Sequence, residues 1–169
     1  NKVSFTAHEI DVAKLLADLK AYIKSAPQQL DWQKVDLSEI GYGLVERGRQ
    51  QYVGKQVATW DLELKPRAGH FDRRIQVAAP LQKAGAYLLT AQMENGNATR
   101  IVVWVADTVI VKKPLNGQTF YYVANAVTGQ PIAGADLQLF GYRQEWKGDG
   151  RKYEMKIDEQ AGQTDADGQ

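Results

Sequence analysis

The stretch VTGQPIAGADLQLFGY, residues 127–142, poses the fold problem in miniature. Thr128 and Gly129 turn the chain, and Pro131 ends pairing because it has no N–H to donate. Gly134 allows a sharp approach before Ala135, Leu137 and Leu139, which alternate as residues on one face of a strand do. The sequence then reaches QTDADGQ, residues 163–169, where Asp165, Asp167 and Gly168 resemble the start of a calcium loop. Such a loop also needs a glutamate six residues past its glycine, which would fall beyond position 169. An Asp-Gly pair is equally a strong turn signal, because glycine takes positive φ without a Cβ clash. The turn reading is favoured, so the segment reads as two turns framing a strand rather than as a ligand cradle.

The same period-two pattern recurs on both sides of that stretch. Val3, Phe5 and Ala7 share a face, as do Ala58, Trp60, Leu62 and Leu64. Ile75 and Val77 flank Gln76. Further faces are Tyr87, Leu89, Ala91 and Met93; Phe120, Tyr122 and Ala124; and Tyr153, Met155 and Ile157. Eight or nine short candidate strands punctuated by Gly, Asn, Asp and Pro predict antiparallel β-sandwiches rather than a doubly wound α/β fold. One segment breaks the pattern. DVAKLLADLKAYIKSAP sets Val12, Leu15, Leu16, Leu19, Tyr22 and Ile23 on one helical face, with Asp11 as N-cap and Pro27 as stop, so a helix is expected over about 11–25. A weaker helical signal lies in WQKVDLSEIG, and residues 30–56 otherwise read as a glycine-rich excursion.

RIVVWVADTVIVKK, residues 100–113, is apolar on both strand faces, with Ile101, Val103 and Val105 opposed to Val102, Trp104 and Ala106. A strand of this kind is central or lies against a second domain. Asp107 interrupts and a new strand follows at once. We therefore expect one domain over residues 1–106, carrying the helix as an insertion, and a second over 107–169. Trp104, Asp107 and Tyr121 are the expected interdomain contacts, with Tyr122 beside them. The second domain is expected to lack its last strand, and the chain reads as a piece of something longer.

Composition narrows the function classes. The 169 residues carry 21 basic and 20 acidic side chains, a net charge of +1, which argues against strong attraction to nucleic acid or anionic membrane. The arginines at 47, 49, 67, 73 and 74 are diluted by acidic neighbours such as Glu46 and Asp72. Cysteine is absent, which removes disulfides, thiol nucleophiles and cysteine metal sites. No apolar run approaches the ~20 residues of a membrane span, so direct membrane insertion is not expected. NKVSFTAHE lacks the apolar middle of a signal peptide. His8 and His70 are the only histidines and have no partner at metal-ligand spacing; solvated positions suit both better. Glu9 and Asp11 bracket a strand-to-helix turn, where capping is the simpler role. Asn97 opens a glycosylation sequon by letter, Asn-Ala-Thr. No phosphate loop or nucleophile elbow is present, and no catalytic residue, metal or cofactor is expected.

Three stretches carry a family resemblance. GQPIAGADLQLF followed by TDADG resembles the turn-strand-turn signature of macroglobulin-type domains. AGAYLLTAQMENGNATRIVVWVADTVIV resembles the junction at which one such domain of a bacterial alpha-2-macroglobulin ends and the next begins. NKVSFTAHEIDVAKLL is similar to the family's domain opening, with His8 in the usual aromatic region. The likeness covers about two thirds of the chain, and the first pair alone is shared with carboxypeptidase-regulatory-like modules. What the resemblance implies is two immunoglobulin- or fibronectin-type sandwiches from the N-terminal half of a broad-spectrum endopeptidase inhibitor. Such inhibitors entrap a protease once it cleaves a bait region, and many hold it through a thioester between a cysteine and a glutamine.

This chain departs from that chemistry. It has no cysteine, so no thioester lies here; DEQAG, residues 158–162, has Glu-Gln without the nucleophile. The expected role is non-catalytic scaffold: neighbouring macroglobulin domains as partners, target proteases as partners of the whole protein, and an extracytoplasmic location, periplasmic or at the cell surface. A lipid anchor on the whole protein is left open. The alternative is a cell-surface adhesion or carbohydrate-binding module using exposed Trp and Tyr.

Overall fold

The computed structural model describes residues 2–27, 30–31, 50–65, 69, 74–148 and 153–169. The weak helical signal at 32–41, most of the 30–56 excursion, His70 and the arginines at 47, 49, 67 and 73 lie outside the described residues. The described chain is mainly β, with strands β1 (Lys2–Ile10), β2 (Val53–Glu63), β3 (Gly85–Met93), β4 (Ala98–Val105), β5 (Thr108–Leu115), β6 (Gln118–Asn125), β7 (Asp136–Trp146) and β8 (Tyr153–Gln163), and one α-helix, α1 (Val12–Lys24). All strand pairing is antiparallel. Two compact units are present: Asn1–Ala17 with Trp32–Val105, and Asp18–Asp31 with Ala106–Gln169.

In the first unit the strands form one sheet in the order β2-β1-β3-β4. The register sets Phe5 opposite Trp60, whose rings stack at 5.2 Å, and Ala7 opposite Leu89. The β1–β2 ladder shifts between Ala7 and His8 and again before Ile10, a bulge that bends the strand just ahead of the helix. Asp11 caps α1 as expected: the Lys14 N–H donates to Asp11 Oδ1 at 2.9 Å, satisfying a first-turn donor. Leu15 is thereby placed in a core with Ile10, Tyr52, Ala86 and Leu88, while Val12, Val53 and Val102 pack around it. The chain leaves the helix through Ala26, at a φ of 48°, immediately before Pro27.

One sequence expectation fails in this unit. Residues 74–80 form no strand, and Ile75 and Val77 are exposed. Two apolar residues around a glutamine are too short a run to compete for a partner, and the segment runs into Pro80. Of the two placements open to the doubly apolar β4, the central one is not taken. It is an edge of the sheet, with Ile101 54% and Trp104 58% exposed. Period two gave its two faces correctly, but not whether a strand covers its outer edge.

In the second unit, β5 and β6 form one ribbon and β7 and β8 another. The second half of α1 lies over one face of the β7–β8 ribbon: Lys24 pairs with Glu159 at 2.7 Å, and Lys20 sits 5.7 Å from the centroid of Phe140. Ile23, 1% exposed, is the most completely buried large side chain among the described residues. Buried positions on β6 are few, Val123 and Ala124, whereas Val109, Ile110, Val111 and Leu115 on β5 are exposed.

Candidate functional site

The residues singled out in the two glycine-bearing stretches come together around one threonine. Thr164, only 5% exposed, donates its hydroxyl to the Ile132 carbonyl at 2.6 Å and accepts the Ala135 N–H at 2.8 Å. Its backbone closes the same knot, with Thr164 N–H donating to Ala135 O (3.1 Å) and Gly134 N–H donating to Thr164 O (2.9 Å). Four bonds between residues some thirty positions apart thus pin the loop after Pro131 to the end of β8. Buried hydroxyls are costly without partners, and this one has both a donor and an acceptor role filled.

The acidic turn is fastened beside it. Asp165 Oδ1 accepts the N–H groups of Asp167 (3.0 Å) and Gln169 (2.8 Å), and Gly168 N–H donates to Asp165 O at 3.1 Å. This is an aspartate holding its own turn, the ordinary way Asp supports such geometry. Gly168 sits at a φ of 75°, and its carbonyl accepts the Val123 N–H at 2.8 Å. A Cβ here would lie 2.6 Å from Val123 O and 3.0 Å from the Pro131 ring, so only glycine fits. Pro131 itself bridges Ala124 on β6, with bonds Asn125 N–H to Gln130 O and Ile132 N–H to Val123 O on either side.

Gly129 closes the preceding turn. Its N–H donates to Asn125 O at 2.9 Å, and its carbonyl accepts the Tyr122 hydroxyl at 3.1 Å. Asn125 Oδ1 accepts the N–H groups of Val127 and Thr128, so the side chain organises the whole turn. Thr164, Asn125 and Val123 were not singled out in the sequence. The signal that could have found the first is its place at the head of the TDADG stretch; the other two gain their roles only through contacts distant in sequence.

The remaining candidates are dispersed. Trp104 stands exposed on edge strand β4, opposite Ala86. Asp107 turns the chain, accepting the Ala126 N–H on its carbonyl and the Thr108 hydroxyl on Oδ1. Tyr121 lies opposite Lys112 and lines an open cleft of about 1000 Å³ in the second unit, with walls from β5–β6 and β7–β8. The charged side chains lining the cleft are Lys112 and Asp158, one of each sign.

Charge perturbation occurs elsewhere, on the outside of the ribbons. Hydrogen bonds from Lys147 and then Lys156 hold the Glu154 carboxyl down at about 2, and the bond to Glu154 raises Lys147. On β1 and β2, hydrogen bonds from Lys2 and Ser4 lower Asp61, and the same Asp61 bond raises Lys2. Both groups tie strand to strand. Among the described residues no cluster of three His, Asp or Glu could hold a metal ion, and no helix is long and apolar enough to cross a membrane.

No family model matches the chain, and no curated protein matches it. Among solved structures it is similar to native alpha-2-macroglobulin from Escherichia coli, in a crystal structure spanning domains MG0-NIE-MG1. The likeness is to a bacterial macroglobulin. Identity is 13% and the TM-score 0.47, with 99% of this chain and 50% of the other covered. This chain spans about half the length of that structure.

Proposed function

We propose that this chain is a non-catalytic scaffold segment of a bacterial alpha-2-macroglobulin-like, broad-spectrum endopeptidase inhibitor. The observation that carries this reading is the knot around Thr164. The residues of the two resembling stretches serve backbone geometry: the Thr164 hydroxyl, the Asp165 carboxylate and the Gly168 carbonyl are all bonded within the turn cluster. Groups so engaged hold strands. On this reading, neighbouring macroglobulin domains abut the chain, with Trp104, Asp107 and Tyr121 at interdomain contacts, and the domain boundary falls near residues 106–107. The whole protein works outside the cytoplasm, in the periplasm or at the cell surface.

The test uses the full-length protein that contains this chain, mixed with trypsin. The expected result is a protease that still cleaves a small chromogenic peptide but has lost activity on a large protein substrate, as steric entrapment requires. Undiminished cleavage of the large substrate contradicts the reading.

A second reading has one observation in its favour. Trp146 and Tyr153 form an edge-to-face pair 5.0 Å apart, each about half exposed, on the β7–β8 ribbon. Exposed aromatic pairs suit stacking on sugar rings. Binding of oligosaccharides by the chain, lost in Trp146→Ala, would favour an adhesion or carbohydrate-binding module over the scaffold.

A further inference from the structure

We propose that Asn116 is a spontaneous deamidation site that ages to isoaspartate, while Asn95, in the same Asn-Gly dipeptide, is shielded by its own turn. The chain has two such dipeptides, Asn95-Gly96 and Asn116-Gly117, in the links between β3 and β4 and between β5 and β6. Glycine is the successor that leaves most room for the reaction, because no side chain crowds its nitrogen. The Gly117 nitrogen gives up its proton and attacks the Asn116 side-chain carbonyl carbon. The carbon–nitrogen bond of the side-chain amide breaks, and ammonia leaves with a proton in place of the one given up. The product is a cyclic succinimide. Water then opens the ring at either carbonyl: cleavage of the original peptide bond leaves isoaspartate, and cleavage of the new bond leaves aspartate. Groups held side by side in one chain react with a large advantage of proximity, so water is the one co-reactant required.

Both asparagines are exposed, so accessibility does not separate them. The attacking nitrogens do. Gly96 N–H donates to Met93 O at 3.1 Å, and the Gly96 carbonyl accepts Gln92 Nε2 at 3.0 Å. A Cβ on Gly96 would lie 2.9 Å from Met93 Sδ, so this glycine is packed as well as bonded. Asn95 is set at a φ of 56°, and the Glu94 N–H beside it donates to Lys2 O at 2.9 Å. For the Gly96 nitrogen to attack, its hydrogen bond must break and the turn must open, which adds to the barrier. Gly117 carries none of these restraints. Its N–H meets no acceptor among the described residues, and a Cβ there would find nothing within 4 Å. Leu115 pairs with Gln118, so Asn116 and Gly117 are the whole of the link. Isoaspartate lengthens the backbone of that short link and disturbs the last pair of the β5–β6 ladder. It also adds a carboxylate, taking the chain from 21 basic and 20 acidic residues to 21 of each, next to a glycine that lines the cleft with Lys112.

The test incubates the full-length protein that contains this chain at mildly alkaline pH and follows both dipeptides by mass spectrometry of proteolytic peptides. Isoaspartate is told from aspartate by labelling with an isoaspartyl methyltransferase. A parallel sample is held unfolded in urea. In the folded protein Asn116 is expected to convert at least about tenfold faster than Asn95, a gap of about 1.4 kcal/mol in barrier, with isoaspartate among the products. In urea the turns are lost, both asparagines precede a glycine in open chain, and the two rates are expected to converge. Equal rates in the folded protein, or faster conversion at Asn95, overturn the proposal. A gap that persists undiminished in urea overturns its assignment to the turns.

Discussion

In the first unit four strands share one sheet, and Ile10, Leu15, Tyr52, Ala86 and Leu88 meet across it. In the second unit no sheet among the described residues exceeds two strands, few β6 side chains are buried, and the loops carry the organisation through Thr164, Asp165 and Gly168. One is held chiefly by apolar side chains, the other by backbone geometry at turns. Apolar packing is forgiving of volume-conserving exchange, whereas a turn that admits only glycine is not. The difference explains why the turn residues singled out in the sequence are concentrated in the second unit: where few side chains are buried, individual turn residues must be specified.

The sharpest way to break this contrast is at Gly168. Gly168→Val forces a β-branched residue into positive φ and onto the Val123 carbonyl, and should cost about 4 kcal/mol. Amide exchange should show lost protection at Val123, Ala135 and Thr164, far more than at Leu88. Leu15→Ala reverses the pattern, costing about 3 kcal/mol in denaturant melts, with Leu88 losing protection first. Thr164→Val keeps the shape but leaves the Ala135 N–H and Ile132 carbonyl without their partner, for about 2 kcal/mol. Thr164→Ser, retaining the hydroxyl, should recover most of that loss in the same melts.

Two smaller effects sharpen the comparison at surface positions. Asp11→Ala removes the cap of α1 and should cost about 1 kcal/mol, read as lower helical ellipticity and an earlier melt. Glu154, held at about 2 against an ordinary 4.5, contributes a small increment to the β7–β8 ribbon. Because its folded value is depressed, that increment is complete above 4.5 and disappears as pH falls through about 2. A Glu154→Gln variant should melt slightly earlier than the parent near neutral pH, and the gap should close across that acid window.

Much of this fold was legible because period two and period 3.6 are local properties. The alternation of Val3, Phe5 and Ala7 marked β1, and Asp11, Leu15 and Ile23 marked α1. What the pattern could not supply was the partner. Ile75 and Val77 alternate without entering any strand, and β4 is apolar on both faces yet sits at an edge. The turn residues Gly129, Pro131, Gly134, Asp165, Asp167 and Gly168 were legible as turns from their own chemistry. Thr164 was legible only by its place at the head of the TDADG stretch; its burial under a loop thirty residues earlier is set by contacts distant in sequence.

The central claim is that the two glycine-bearing stretches form one architectural knot. The direct measurement is amide hydrogen exchange at Val123, Gly134, Ala135 and Thr164 in the unmodified chain and in Gly168→Ala. The account predicts that all four are protected in the parent and lose protection together in the variant, because the added Cβ meets the Val123 carbonyl at 2.6 Å. Fast exchange at these four amides in the parent, or protection undisturbed by the added methyl group, would contradict it.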